Sequence, residues 1–191
     1  MPDYDATTAS RKGEKVLRHG ISTKNFWGTP GDVFQELDKE FDFDLDAAAE
    51  RGSAKCSDWL GLDHPDPTRR DSLGGPSWPG LRSFLNPSYS PDGGTLFRWT
   101  VRAHSESKNK EHVVCLLPGT ADTDWANYCF EHADEMRFTP RIAFIDPNGG
   151  RTAPMGGSLV VVFRKEPIWR TTLYLDHAYV TLGYAPWKKG K

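Results

Sequence analysis

The 191-residue sequence has no apolar run of the roughly 18 to 20 residues that a membrane span requires, which excludes a transmembrane helix. Residues 1–15 hold no apolar core segment, so no secretory signal is expected there. Cysteine is sparse: Cys56, Cys115 and Cys129 lie far apart and without CxxC spacing, which argues against a disulfide framework or zinc ribbon and fits a reducing cytoplasm. The histidines show no ligand spacing, and no metal motif, P-loop or Ser/His/Asp signature is present, so no metal is expected. Internal repeats and low-complexity segments are missing too. There is also no excess of positive charge. Residues 1–24 carry five Lys/Arg against three Asp/Glu, and residues 164–191 carry six against two. The stretch between them holds thirteen basic and twenty-one acidic residues, a net of −8. An acidic centre between basic ends is not the pattern of a protein held to nucleic acid by charge alone.

What is present points to one α/β domain. Residues 1–22 are polar and aperiodic and are expected to form a flexible arm, with residues 23–191 as a single domain. Thr29-Pro30-Gly31-Asp32 sets a capping hydroxyl before a proline at the first helical position. Val33, Leu37 and Phe41, with Phe34 beside them, then mark an amphipathic helix of about three turns. The alternation from Phe41 to Ala49 reads as a strand with an acidic face of Asp42, Asp44 and Asp46. Residues 50–82 lack periodicity and read as an irregular insertion, a length of loop that commonly has a job such as target recognition. Further strands are expected at Ser83–Asn86, His112–Leu117, Arg141–Ile145, Ser158–Phe163 and about Leu173–Val180, with helices over Arg98–Lys110 and residues 122–133. Strands alternating with helices, then a run of strands, indicate an α/β sheet with an antiparallel edge.

The sharpest local feature is Asn86-Pro87-Ser88-Tyr89 at the end of a strand. The Asn86 side-chain oxygen and the Pro87 carbonyl are two neighbouring acceptors, and Tyr89 offers a flat face. Two acceptors bind both hydrogens of an exocyclic amine and favour a more tetrahedral nitrogen with its lone pair aimed at an electrophile. The set suits an aminopurine or aminopyrimidine withdrawn from its duplex. Asn-Pro is also a common turn dipeptide, and a turn plugged by an aromatic ring accounts for the same residues.

Ordered landmarks from Trp27 to Phe163 widen the picture. They are Trp27-Gly28-Thr29-Pro30, Phe43-Asp44-Leu45-Asp46-Ala47-Ala48, Ala54-Lys55-Cys56, Asp71-Ser72-Leu73 and the Asn86 segment. Val113 to Pro118, Thr123-Asp124-Trp125, Arg141-Ile142-Ala143-Phe144 and Gly157 to Phe163 follow. In this order and spacing they resemble the phage-type DNA N6-adenine methyltransferase (Dam-like) family. The resemblance implies a Rossmann-like class I methyltransferase sheet, mostly parallel with an antiparallel edge hairpin. It also implies S-adenosylmethionine as cofactor and site-specific transfer of a methyl group to adenine N6 in double-stranded DNA. A phage-encoded member of a DNA-modification or restriction-modification system would work in the bacterial host cytoplasm.

On that resemblance Asn86, Pro87, Ser88 and Tyr89 are the catalytic segment, with Ser88 standing where the family has a second proline. Proline fixes its own backbone angle and restricts its neighbour, so serine gives up some rigidity while keeping both acceptors. Trp27, Thr29, Pro30, Asp46, Ala47 and Asp71 are the implied cofactor residues. Asp46 would meet the cofactor's amino group, and Thr29 and Pro30 its carboxylate at a helix N-terminus. Ala47-Ala48-Ala49 stands where a glycine-rich loop is usual, and spacing alone would not have suggested a nucleotide cofactor. Tyr89, Trp125 and Phe144 are candidates to stack on or wall the base, although core packing accounts for Phe144 as well. Arg69, Arg70 and Arg98 are candidates for phosphate or base contacts. A non-catalytic nucleic-acid-binding module on the same scaffold, and methylation of RNA adenine or of a protein amide, remain open on the sequence.

Overall fold

In the computed structural model, residues 27–89, 94–146, 148–152, 156–166 and 180–182 are described. The expected arm at residues 1–22 and the expected strand residues 173–179 lie outside them. Helix α1 (Gly31–Phe41) turns Phe34 and Phe41 inward and carries Asp32 in its first turn and Lys39 in its last, matching the helix dipole at both ends. Its N-cap is Pro30 and not Thr29: the Pro30 carbonyl accepts from Phe34 N at 3.0 Å, and no side chain caps the end. At the other end Asp42 takes a left-handed conformation (φ 48°), and Asp38 Oδ1 accepts from Phe43 N at 2.8 Å.

This helix stop shortens the strand expected from Phe41 to Ala49 to β1 (Leu45–Asp46). The three acids of that stretch have separate environments. Asp42 is exposed, Asp44 accepts from the backbone N–H groups of Leu81 and Arg82, and Asp46 is buried.

The main sheet continues with β2 (Arg82–Leu85), β3 (His112–Pro118), β4 (Glu135–Thr139), β7 (Ser158–Arg164) and β8 (Val180–Leu182), in the spatial order β1-β2-β3-β7-β4-β8. The β1/β2 and β2/β3 pairs are parallel, whereas β7 is antiparallel to both β3 and β4, and β8 is antiparallel to β4. Four strands therefore share a direction. An antiparallel strand lies at one edge, as β8, and a second, β7, is inserted between β3 and β4. A separate hairpin joins β5 (Phe144–Ile145) to β6 (Arg151–Thr152). The strand expected at Arg141–Ile145 is confined to that hairpin, and the main-sheet strand of this region lies earlier, at β4. Only Met136 is buried on β4, while Glu135 and Arg137 pair with each other, so charge masks the strand's apolar alternation.

Helices α2 (Gly94–Ser107) and α3 (Asp124–His132) cover one face of the sheet and α1 the other. On β3, Val113, Cys115 and Leu117 join Trp99, Ala103 and Trp125 in one core, while Val114 and Leu116 join Phe34 in the second. A strand buried on both faces must be apolar throughout, which is why β3 and β7 were legible as continuous hydrophobic runs.

The expected insertion at residues 50–82 ends one residue earlier, since Arg82 opens β2; residues 50–81 contain no strand or α-helix, only a short 3-10 turn at Pro67–Arg69 and the single bridge at Trp59. They are nevertheless fastened to the domain. Trp59 bridges to Asp46 at the sheet edge, and buried Trp78 donates from its ring nitrogen to the Ser72 carbonyl at 2.8 Å. Among the described residues no helix is long and apolar enough to cross a membrane.

Candidate active site

Register between neighbouring strands builds the site. Asp46 ends β1, and Asn86 follows directly on β2, whose Phe84 is the register partner of Asp46. Both side chains reach a cavity of about 300 Å³ at the carboxyl ends of parallel strands, where open α/β sheets take their ligands. Trp27–Thr29, Glu50, Ser53 and Lys55, Asn86–Ser88, and Ile145, Asp146 and Gly149 contribute to its walls.

Asp46 is 3% exposed. Its carboxylate accepts from Lys55 N at 3.0 Å and Ala48 N at 3.3 Å. Burial raises its pKa from 3.8 to about 6, against the opposing pull of those two backbone donors and of the Lys55 charge. A buried acid whose hydrogen bonds among the described residues come from backbone N–H groups, facing a cavity, is fitted to a cation that brings its own hydrogen-bond donors. Glu50, at the same wall, is also shifted upward, by burial and by the charge of Asp63.

Asn86 is held by its nitrogen. Nδ2 donates to the Trp27 carbonyl at 3.1 Å and to Thr29 Oγ1 at 3.0 Å. The Tyr89 hydroxyl lies 3.1 Å from Asn86 Oδ1 and 3.0 Å from the Leu116 carbonyl. It has one proton and two acceptors, and burial pushes its pKa up, so it stays protonated. Turning that proton to Leu116 frees the Asn86 oxygen for another donor. Pro87 and Ser88 line the cavity beside it. The Tyr89 ring packs against the core on the α2/α3 face.

Of the remaining predicted residues, Trp27 and Thr29 line this cavity, whereas Pro30 lines a separate one of about 410 Å³ between α1 and the segment after β4. Ala47 is fully buried behind the cavity and donates its N–H to the Phe84 carbonyl, while Ala48 faces in. Asp71 caps a turn in the insertion, accepting from Gly74 N at 2.7 Å. Trp125, 2% exposed, and Phe144, 3% exposed, belong to the two cores on opposite faces of the sheet. Arg69 pairs with Asp58, and Arg70 donates to the His64 and Pro65 carbonyls. Arg98 is exposed on α2, beside Leu73 and Phe97. The structure thus brings Trp27, Thr29, Asp46, Asn86, Pro87 and Ser88 together, with Tyr89 behind Asn86, and leaves the other predicted residues outside.

Sequence reasoning did not single out Glu50, Ser53, Lys55, Ile145, Asp146 or Gly149 as lining residues. Lys55 stood within the Ala54-Lys55-Cys56 landmark, but its return to the end of β1 depends on the Lys55 N–H to Asp46 bond, which no spacing signals. Gly149, with φ 84°, allows the β5/β6 turn to approach the cavity.

Helices on both faces of the sheet, with an acid and an amide converging on a cavity at the ends of neighbouring parallel strands, define a three-layer α/β protein. The family model of the DNA N-6-adenine-methyltransferase (Dam) family matches residues 19–182, and the chain belongs to that family. The family's activity is methylation of adenine N6 in DNA. No curated protein matches the chain.

Proposed function

We propose that this chain transfers a methyl group from S-adenosylmethionine to adenine N6 at specific sites in double-stranded DNA. The observation that carries the reading is the meeting of Asp46 and Asn86 in one cavity at the ends of paired strands. The residues fit the cofactor: a buried carboxylate faces a cavity of about 300 Å³ bounded by the turn into α1. S-adenosylmethionine supplies a methyl group already activated by its sulfonium leaving group.

Asp46 binds the cofactor's cationic amino group. The Asn86 oxygen and the Pro87 carbonyl accept the two hydrogens of the adenine amine and orient its nitrogen lone pair towards the methyl carbon. On taking the methyl group from what becomes a neutral thioether, the amine releases one proton to solvent; holding the amine in place is the main contribution of these residues to rate. Tyr89 supports Asn86 through its hydroxyl. Three parallel strands with helices on both faces and a site at their carboxyl ends support the Rossmann-like class I reading of the sheet. A soluble enzyme acting on intracellular DNA works in the cytoplasm.

Calorimetric titration with S-adenosylmethionine, followed by a tritiated-methyl assay on unmethylated DNA, RNA and protein acceptors, tests the reading. Cofactor binding with label on DNA adenine is expected. Binding of DNA without cofactor binding, or a preference for RNA or protein, overturns it.

A further inference from the structure

We propose that Thr29 is a positioning residue for Asn86, and that its hydroxyl and the Trp27 carbonyl together fix the direction in which the Asn86 amide oxygen points. The inference rests on the methyl-transfer reading only for its consequence in catalysis; the hydrogen bonds stand independently of it.

A backbone carbonyl can only accept a hydrogen bond, so the Asn86 group 3.1 Å from the Trp27 oxygen must be the NH2. Its second hydrogen goes to Thr29 Oγ1 at 3.0 Å. With both hydrogens engaged, a half-turn of the amide would set its oxygen against the Trp27 carbonyl and leave the NH2 without these acceptors. Thr29 is 3% exposed, so water is poorly placed to substitute for its hydroxyl. The acceptors are themselves fixed. Gly28, between them in the chain, donates to the Ile145 carbonyl at 2.8 Å and accepts from Ile145 N at 2.9 Å.

Two consequences follow from this geometry. The Thr29 side chain is committed to Asn86, so it acts on the orientation of the acceptor amine and not on cofactor affinity. The site is also built for asparagine: a carboxylate at position 86 would set an anionic oxygen against the Trp27 carbonyl with no proton between them.

The test is side-chain amide NMR of the ligand-free protein combined with steady-state kinetics. In the wild type, the Asn86 NH2 protons are expected to exchange with solvent at least about 10-fold more slowly than those of an exposed asparagine. In Thr29→Val, which keeps the shape and removes the hydroxyl, the exchange is expected to accelerate and kcat to fall roughly 10-fold, with KM for S-adenosylmethionine within about twofold of wild type. Thr29→Ser is expected to restore both, and Asn86→Asp to lose transfer. Solvent-like exchange in the wild type overturns the proposal without any variant. Unchanged exchange in Thr29→Val, a rise in KM with kcat intact, or wild-type rates in Asn86→Asp also overturns it. If the wild-type protein transfers no methyl group to DNA, the functional reading fails, while the exchange comparison still decides the role of Thr29.

Discussion

Gly28 and Ile145 exchange both of their backbone hydrogen bonds, at 2.8 and 2.9 Å, across 117 positions of sequence. This isolated bridge ties the turn entering α1 to the β5/β6 hairpin, and the two segments form facing parts of the cavity wall. Arg151 reinforces it by pairing with Asp32 at 2.6 Å, although both side chains are largely exposed and such a pair contributes little by itself. The backbone bridge is therefore the fastening that matters.

Substituting Gly28 separates the fastening from the space around it. Gly28→Pro removes the N–H donated to Ile145, and kcat/KM for methyl transfer is expected to drop roughly 10-fold, in line with the loss of one well-made hydrogen bond. In Gly28→Ala the new Cβ would meet Ile145 Cβ at 3.5 Å, an ordinary contact, so kinetics close to wild type are expected.

Asp46 gives the site a pH dependence of definite sign. The folded protein holds its proton up to about 6, above the ordinary 3.8, so the stability of the ligand-free protein is expected to fall as pH rises through that window. A cation favours the charged carboxylate. Affinity for S-adenosylmethionine is therefore expected to strengthen as pH rises through about 6 and then level off. Calorimetric titrations from acidic to mildly alkaline pH check this, with Asp46→Asn expected to bind more weakly and to flatten the profile.

One buried acid fastens the Ser77–Trp78 part of the insertion to α2. Glu106 on α2 accepts from Ser77 Oγ at 2.8 Å and Trp78 N at 3.2 Å, and pairs with Arg102 at 2.9 Å and Lys110 at 3.4 Å. Lys110 in turn donates to the Gly80 carbonyl at 2.7 Å. Glu106→Ala leaves the buried Lys110 without its counter-charge and is expected to cost about 3–5 kcal/mol in urea unfolding. Limited proteolysis is expected to cut within residues 50–82 faster in the variant than in the wild type.

The sequence displayed those parts of the fold whose physics is local or periodic. The α1 stripe of Phe34 and Phe41 and the apolar runs of β3 and β7 stood out because burial on one helical face, or on both faces of a strand, leaves a repeating pattern. β4 did not stand out, since Glu135 and Arg137 replace apolar residues there with a charge network that also engages Glu40 and Arg164. Nor did the place of β7 between β3 and β4, which follows from long-range pairing. At the site, Asn86 stood out through its Asn-Pro pair of acceptors after a strand, whereas Asp46 was separated from the acidic stripe of Asp42 and Asp44 only by the family resemblance, since the early end of β1 is not visible in the alternation. Thr29 was identified as a site residue, but spacing could not distinguish a capping hydroxyl from one engaged by an amide 57 positions away. Trp125 read as a base wall because aromatic character is visible in sequence, whereas its burial under the sheet is not.

The most direct test of the central claim is nucleoside mass spectrometry of unmethylated DNA incubated with S-adenosylmethionine and either wild-type protein or Asn86→Ala. The wild type is expected to produce N6-methyldeoxyadenosine, and the variant to lose roughly 100-fold or more of that activity as the amine loses its orienting acceptor. Absence of the methylated nucleoside with the wild type, or equal amounts from both proteins, would contradict the account.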